Sequence, residues 1–143
     1  MSSTSESNTS LADCSPDFLG HALTPSNVGT LPNPDGYARP KGSCGDYLEL
    51  YLRVEDGRIS EARFMPAGCL HTVACGSALT SLIKGRELGR AAQVSAEDIE
   101  AELGGLDREH RHCAALAAAT LKAALRDHLR RKQAPWKQLY DRR

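Results

Sequence analysis

The sequence predicts an α/β protein in which a small, mainly antiparallel three-stranded sheet packs against several helices, the last of them long. Three observations support this fold class. Residues 47–54 alternate between polar and apolar side chains, which is typical of a half-buried strand. An Asp-Gly turn at residues 56–57 returns the chain into a second apolar strand. Beyond Cys69 the apolar spacing changes to three and four residues, which indicates helices.

The two strands are predicted to form a hairpin with one buried face. The second strand covers residues 59–65, and an isolated hairpin of this kind is only marginally stable. We therefore expect a third strand from the preceding loop. That loop, residues 24–41, is rich in Pro and Gly and is predicted to be an extended arm that wraps the core. The apolar side chains of the first strand share one face: Leu48, Leu50, Leu52 and Val54.

Helices are expected both before and after the hairpin along the chain. Residues 17–23 suit a short helix or turn, residues 87–93 a second short helix, and Ser95 caps a third over residues 96–103. The helix after Cys69 ends before Gly85, and its buried stripe contains Cys75, Ala78, Leu79, Leu82 and Ile83. The longest helix carries a stripe of Cys113, Leu116, Ala117, Thr120, Leu121, Ala124 and His128.

The chain of 143 residues fits one domain. Residues 1–16 are polar and are predicted to be a disordered tail that contains Cys14; residues 17–132 form the folded domain, and residues 133–143 a basic tail. No stretch approaches the roughly 18–20 apolar residues of a membrane span, and no apolar run of a signal peptide stands at the N-terminus. We therefore expect a cytoplasmic protein without a membrane partner.

Formal net charge is zero, but the charges are unevenly placed. Residues 1–107 hold 8 Lys and Arg against 15 Asp and Glu, whereas residues 108–143 hold 10 against 3. A solvated basic helix on an acidic body explains this distribution better than a docking surface for an acidic partner. Nucleic acid is not expected as a partner, because few aromatic residues accompany the basic ones and no binding motif is present.

The five cysteines, an odd number at irregular spacing, are a poor basis for a disulfide framework. Reactive or metal-bound thiols in a reducing compartment fit them better. Cys44, Cys69 and Cys113 fall at junctions between loops and elements, and Cys69 stands at a helix N-terminus, where the thiolate is favoured. Cys75 lies on the buried helix stripe and is interpreted as a packed hydrophobic residue.

Three thiols of this kind, together with Asp46 or His112, would satisfy a tetrahedral zinc ion. They would equally hold an iron–sulfur cluster with one non-thiolate corner. His71 is either a surface residue or an additional ligand near Cys69. The residues alone leave these alternatives open, and inert core cysteines remain a third.

Several motifs resemble the NifU/IscU family of iron–sulfur cluster assembly scaffolds. They are Gly42-Ser43-Cys44-Gly45-Asp46, the Phe-x3-Gly-Cys of residues 64–69, and Leu103-Gly104-Gly105-Leu106 followed by His112-Cys113. Residues 24–29 resemble the Asn-Pro-x-Asn-x-Gly segment of the family, and residues 76–85 its central helix. The resemblance covers roughly residues 18–130 and concerns the N-terminal scaffold module alone.

This resemblance implies a function and a set of site residues. The function is a non-enzymatic scaffold that builds a labile 2Fe–2S cluster from iron and sulfur supplied by a cysteine desulfurase, then transfers it to apo-proteins. Cys44, Cys69 and Cys113 match the three cluster cysteines, and Cys113 is the candidate persulfide acceptor. Asp46 matches the aspartate associated with cluster lability, and His112 the histidine beside the third cysteine. Zinc is the expected metal of the apo form.

The chain departs from the family pattern at two places that bear on the site. Residues 106–110 read Leu-Asp-Arg-Glu-His where the family has Leu-Pro-Pro-x-Lys, so transfer through the chaperone that reads this motif is not expected. Leu70 and His71 follow Cys69 where small residues are usual. Two other functions stay open: a zinc-bound persulfide acceptor in a sulfur relay, and a structural zinc domain.

Overall fold

The structure is a computed structural model and describes residues 15–40 and 45–133. Along these residues five helices and three strands follow one another, with one turn of 3-10 helix, Arg108–His110, before the last helix. The order is α1, β1, β2, β3, α2, α3, α4, α5. Their bounds are Pro16–Leu23, Gly36–Ala38, Tyr47–Glu55, Arg58–Ala67, Leu70–Ile83, Leu88–Ala91, Ala96–Glu102 and Arg111–Gln133.

The sheet is antiparallel with the strand order β1-β2-β3, which confirms the predicted fold class. Its third strand, β1, comes from the loop before the hairpin, where it was expected, and places Tyr37 opposite Tyr51. At the beginning of β2, Tyr47 lies opposite Ala67, the last residue of β3. The segment that precedes β2 and the segment that follows β3 are therefore neighbours at this end of the sheet.

The first strand of the hairpin keeps the predicted alternation. Leu48, Leu50 and Leu52 are fully buried, and the half-buried Val54 pairs with the fully buried Ile59. Directly paired residues of an antiparallel sheet point to the same face, so Val54 lies on the core face as predicted. The register shift between Arg53 and Val54 adds one residue to β3 instead, and sequence alternation alone does not reveal such a bulge.

Helices α2 and α5 cover the apolar face of the sheet. The contact between α2 and β3 depends on a glycine. Gly76 of α2 lies against the ring of Phe64 in β3, and a Cβ at this position would stand 2.5 Å from Phe64 Cε2. Both residues are buried. The absence of a side chain at Gly76 therefore lets the helix backbone rest directly on the aromatic ring.

Gly76→Ala is expected to destabilise the fold by about 1–3 kcal/mol, because an added methyl group overpacks this contact. The measurement is the free energy of unfolding in urea. Gly20→Ala in α1 is the matched control, since no heavy atom lies within 4 Å of a Cβ built there. An unchanged midpoint in Gly76→Ala would show that Phe64 moves aside without cost.

The described part of the chain begins at the cap of α1. The Ser15 hydroxyl accepts the N–H of Phe18 at 3.0 Å and donates to the carbonyl of Leu103 at 2.6 Å. Ser15 therefore contacts the folded domain, while the division of the chain into tail, domain and basic tail stays a prediction. The rest of that tail, with Cys14, lies outside the described residues, as do residues 134–143 of the basic tail.

The Pro-rich segment after α1 runs along the outer edge of β3, as expected for an arm that wraps the core. Gly29 donates its N–H to the carbonyl of Phe64 at 2.9 Å, and Phe64 donates to Asn27 at 3.0 Å. The predicted Ser95 cap of α4 is also confirmed, with a reciprocal bond to Asp98. Within residues 15–40 and 45–133, the helices are all too short or too polar to span a membrane.

Candidate metal centre

Two thiols and a carboxylate meet at one end of the sheet. Asp46 precedes β2, Cys69 follows β3, and Cys113 lies in the first turn of α5. One ligand atom from each of these residues lies within 4.8 Å of the others. The antiparallel pairing of β2 and β3 brings the first two together, and the packing of α5 on the sheet adds the third. Cys44 is outside the described residues, so its place in this group stays a prediction.

Asp46 reaches the start of α2 because residue 68 has no side chain. A Cβ on Gly68 would stand 2.5 Å from Asp46 Oδ2. Cys69 is the N-cap residue of α2, as predicted, and is exposed. Its backbone N–H donates to Asp46 Oδ2 over a long 3.5 Å. The carboxylate therefore occupies the position where a helix N-terminus favours negative charge.

Thr72, which is not among the predicted site residues, connects the three candidate ligands. Its hydroxyl donates to Asp46 Oδ2 at 2.9 Å, and the same oxygen lies 3.7 Å from Cys113 Sγ and 3.8 Å from Cys69 Sγ. The residue is fully buried. Its position three residues after the N-cap is the available sequence signal, since side chains at this position face the cap.

Cys113 is less accessible than its position at a helix start suggested. The residue is fully buried, and burial raises the pKa of its thiol to about 12, an effect that the nearby Thr72 hydroxyl opposes only in part. In the metal-free protein the Cys113 thiol is therefore neither accessible nor readily ionised, which agrees with its place on the predicted stripe of α5. Cys75 is also fully buried, as predicted, and burial raises the pKa of its thiol as well.

In the reduced, metal-free protein, iodoacetamide at pH 8 is expected to modify Cys69 at least about tenfold faster than Cys113. Each pKa unit above the pH lowers the thiolate fraction tenfold, and only the thiolate reacts. Cys69 is exposed, whereas Cys75 is a buried reference on the same helix. Peptide mass spectrometry over a time course gives the rates. Equal rates for Cys69 and Cys113 would contradict the burial described above.

The histidines near the site fall into two groups. His112 Nε2 lies 3.6 Å from Cys113 Sγ, so this imidazole borders the thiols. His71 instead stacks on His110, and burial, followed by the charge of His110, lowers the pKa of His71. Among the described residues, His71 belongs to a cluster with Asp107 and His110 that is separate from the thiols.

Two sulfurs and one carboxylate oxygen form a mixed soft and hard donor set. Thiolates favour zinc or the iron of a sulfide-bridged cluster, whereas the oxygen binds such an iron less tightly. Three donors leave one tetrahedral position for a further ligand. Cys44, two positions before Asp46 in the chain, and His112, beside Cys113, are the candidates for it.

Comparison with known proteins gives one family. The family model described as NifU-like N terminal domain matches residues 15–135. The nitrogen fixation protein NifU of Cereibacter sphaeroides is 44% identical over 114 residues, which are 76% of this chain and 46% of that protein. The iron–sulfur cluster assembly scaffold protein IscU of Aquifex aeolicus is 36% identical over 114 residues, which are 78% of this chain and 73% of that protein.

Solved structures give the same fold. FiSufU of Fervidobacterium islandicum AW-1 superposes with a TM-score of 0.63 at 22% identity, over 78% of this chain and 95% of that chain. The N-terminal part of a NifU-like protein from Brucella abortus superposes with a TM-score of 0.51 at 21% identity, over 90% of this chain and 95% of that chain. The chain spans about half the length of the NifU relative. It belongs to the family of the NifU-like N terminal domain, as its motifs predicted.

Proposed function

We propose that this chain is a scaffold on which a labile 2Fe–2S cluster is assembled and from which it is released to apo-proteins. The observation that carries this proposal is the convergence of Asp46, Cys69 and Cys113 at one end of the sheet of a NifU-like domain. The cluster is the cargo of this site rather than a resident cofactor, and its binding and release require no catalytic turnover by the chain.

Each site residue has a distinct part in the proposal. Cys44, Cys69 and Cys113 supply the thiolates, and Asp46 supplies the weaker oxygen ligand. His112 stands beside Cys113 and either replaces or assists Asp46. Cys113 remains the candidate persulfide acceptor. Because its thiol is fully buried, the contacts around Thr72 must open before a desulfurase persulfide reaches it.

The partners follow from the same assignment. A cysteine desulfurase supplies sulfur, and apo iron–sulfur proteins receive the cluster. Chaperone-assisted transfer is not part of the proposal, because residues 106–110 lack the Leu-Pro-Pro-x-Lys pattern. The free thiols of Cys69, Cys75 and Cys113 support a reducing compartment, and we place the protein in the cytoplasm.

Anaerobic reconstitution tests the function directly. Reduced protein is incubated with ferrous iron and sulfide, desalted, and examined by visible absorption and by iron and sulfide analysis. The expected product carries a 2Fe–2S cluster that moves to an apo-ferredoxin when the two are mixed. A protein that takes up zinc and accepts persulfide sulfur, but never holds iron with sulfide, would instead be the sulfur-relay protein considered above.

Zinc is expected to stabilise the apo-protein through the same ligands. At 100 times the dissociation constant, a ligand that binds only the folded state adds about 2.7 kcal/mol. Zinc should therefore raise the melting temperature of the reduced protein by several degrees, and a chelator should reverse the change. Cys69→Ala should reduce the shift, whereas Cys75→Ala should keep it. An identical shift in both variants would place the stabilising zinc elsewhere.

A further inference from the structure

A second group of metal-binding side chains lies apart from the thiols. His71 stands in the first turn of α2, and Asp107 and His110 belong to the segment that leads into α5. One ligand atom from each of the three lies within 4.8 Å of the others. His71 and Asp107 are 36 positions apart in the chain, so the tertiary fold brings them together.

We propose that His71, Asp107 and His110 bind a divalent first-row transition-metal ion, at a site separate from Asp46, Cys69 and Cys113. Two imidazole nitrogens and a carboxylate are a donor set for Zn²⁺, Fe²⁺, Co²⁺ or Ni²⁺. Because it has no sulfur ligand, this site has harder donor atoms than the thiol site. The proposal rests on these three side chains alone and does not require that the chain assemble an iron–sulfur cluster.

Asp107 supplies the anionic ligand of the proposed site. Its Oδ1 lies 2.7 Å from His110 Nδ1. A carboxylate only accepts hydrogen bonds, so in the metal-free protein Nδ1 carries the proton of this contact. An ion that takes the place of this proton is bound by both atoms.

The second imidazole is held next to the first. The rings of His71 and His110 are parallel to within 3°, with centroids 3.5 Å apart. The ring of the buried Phe18 supports His71 from the inner side, at a centroid distance of 4.9 Å. Nitrogen lone pairs lie in the ring planes, so the two rings must tilt toward a common ion. The ring torsion of histidine is broad, so rotation about it provides this tilt at the cost of the ring stacking.

The site is open to an ion from solvent. The Asp107 side chain is 41% exposed and that of His110 is 27% exposed. The ring centroids of His110 and His112 are 6.4 Å apart, and His112 Nε2 lies 3.6 Å from Cys113 Sγ. His112 is therefore a neighbour of both the histidine cluster and the thiol site. An ion at the outer cluster would sit next to the thiols without sharing their ligands.

Cobalt binding to tag-free, reduced, metal-stripped protein tests the proposal. Bound Co²⁺ is counted after equilibrium dialysis under nitrogen, and its absorption spectrum is recorded. The wild-type protein should bind one ion more per chain than the His71→Ala/His110→Ala double variant. A Cys69→Ser/Cys113→Ser double variant should keep this ion and lose the sulfur-to-cobalt charge-transfer bands. Asp107→Asn should weaken its binding by at least about 10-fold, because loss of an anionic ligand costs no less than a change beyond the direct ligands.

His128→Ala is the matched control, because His128 lies on α5 and its ring contacts the carbonyl of Asp35 rather than this cluster. It should bind as many ions as wild type, and thermal melting of each variant should show a folded protein. Equal cobalt counts in the wild type and the His71→Ala/His110→Ala variant would overturn the proposal. Loss of the ion in the Cys69→Ser/Cys113→Ser variant would also overturn it, since the histidines would then only extend the thiol site.

Discussion

Cys69→Ala and Cys113→Ala are each expected to retain less than about a tenth of the cluster that the wild-type protein holds after reconstitution. A change beyond the direct ligands already lowers metal affinity by about 10–100-fold in typical sites, and loss of a thiolate removes a direct bond. Among the described residues the ligand cluster contains these two sulfurs and no third, so neither has another thiol to replace it. Iron and acid-labile sulfide per chain are the measurements.

Cys75→Ala is the matched control for this result. Cys75 is a fully buried thiol on α2, the helix that begins directly after Cys69, yet it is not part of the ligand cluster. Its replacement removes one buried sulfur from the core and should leave the cluster content unchanged. If Cys75→Ala loses the cluster and Cys113→Ala keeps it, the assignment of the thiols is wrong. Cys44→Ala, in the same series, tests the residue that the structure does not describe.

Asp46→Ala is expected to form a cluster that survives several-fold longer in air and moves several-fold more slowly to an apo-ferredoxin. The carboxylate is a hard ligand that exchanges with solvent or with an incoming thiolate. Its removal also frees the buried Thr72 hydroxyl, which now donates to Asp46 Oδ2 at 2.9 Å. This hydroxyl can then donate to Cys113 Sγ, 3.7 Å away, and a hydrogen bond to the thiolate favours the bound state.

Two controls separate this effect from a general loss of negative charge. Glu55→Ala removes an exposed carboxylate at the opposite end of β2 and should change neither lifetime nor transfer rate. Asp46→Asn keeps the shape next to Gly68 but removes the charge, and should resemble Asp46→Ala. Unchanged kinetics in Asp46→Ala would make Asp46 a residue that only fixes the start of α2, and would move the release role to His112.

The sequence predicted those parts of the molecule that depend on local pattern. Alternation gave β2, the Asp-Gly turn gave the hairpin, and Cys69 was placed correctly at a helix start. Ile59 and Ala62 of β3 are both buried although their spacing breaks the alternation, because a bulge in the pairing of two strands leaves no mark on either strand alone. The stripe of the longest helix included the buried Cys113, but the contact of its sulfur with Thr72 depends on the packing of α5 against α2, which is a property of the tertiary structure.

The residues of the candidate site also divide into those that sequence motifs predict and those that only the folded structure brings together. Motif resemblance gathered Asp46, Cys69 and Cys113 before any contact was known. Thr72 was not found, since a hydroxyl three residues after a helix cap is common and gains meaning only when two sulfurs lie near it. The pairing of His71 with His110 joins residues from two different segments, and neither segment alone indicates it. Chemistry that depends on such distant contacts requires coordinates.

The arm along β3 limits how this molecule can meet other proteins. The backbone groups of Phe64 that would otherwise face outward are bonded to Asn27 and Gly29 of the same chain. On the opposite edge, β1 has only three residues. Short or covered edges hinder the addition of a strand from another chain, which is both a common route to aggregation and a common mode of peptide recognition. Where the arm covers β3, a partner therefore meets the side chains of the arm rather than free backbone groups of the sheet.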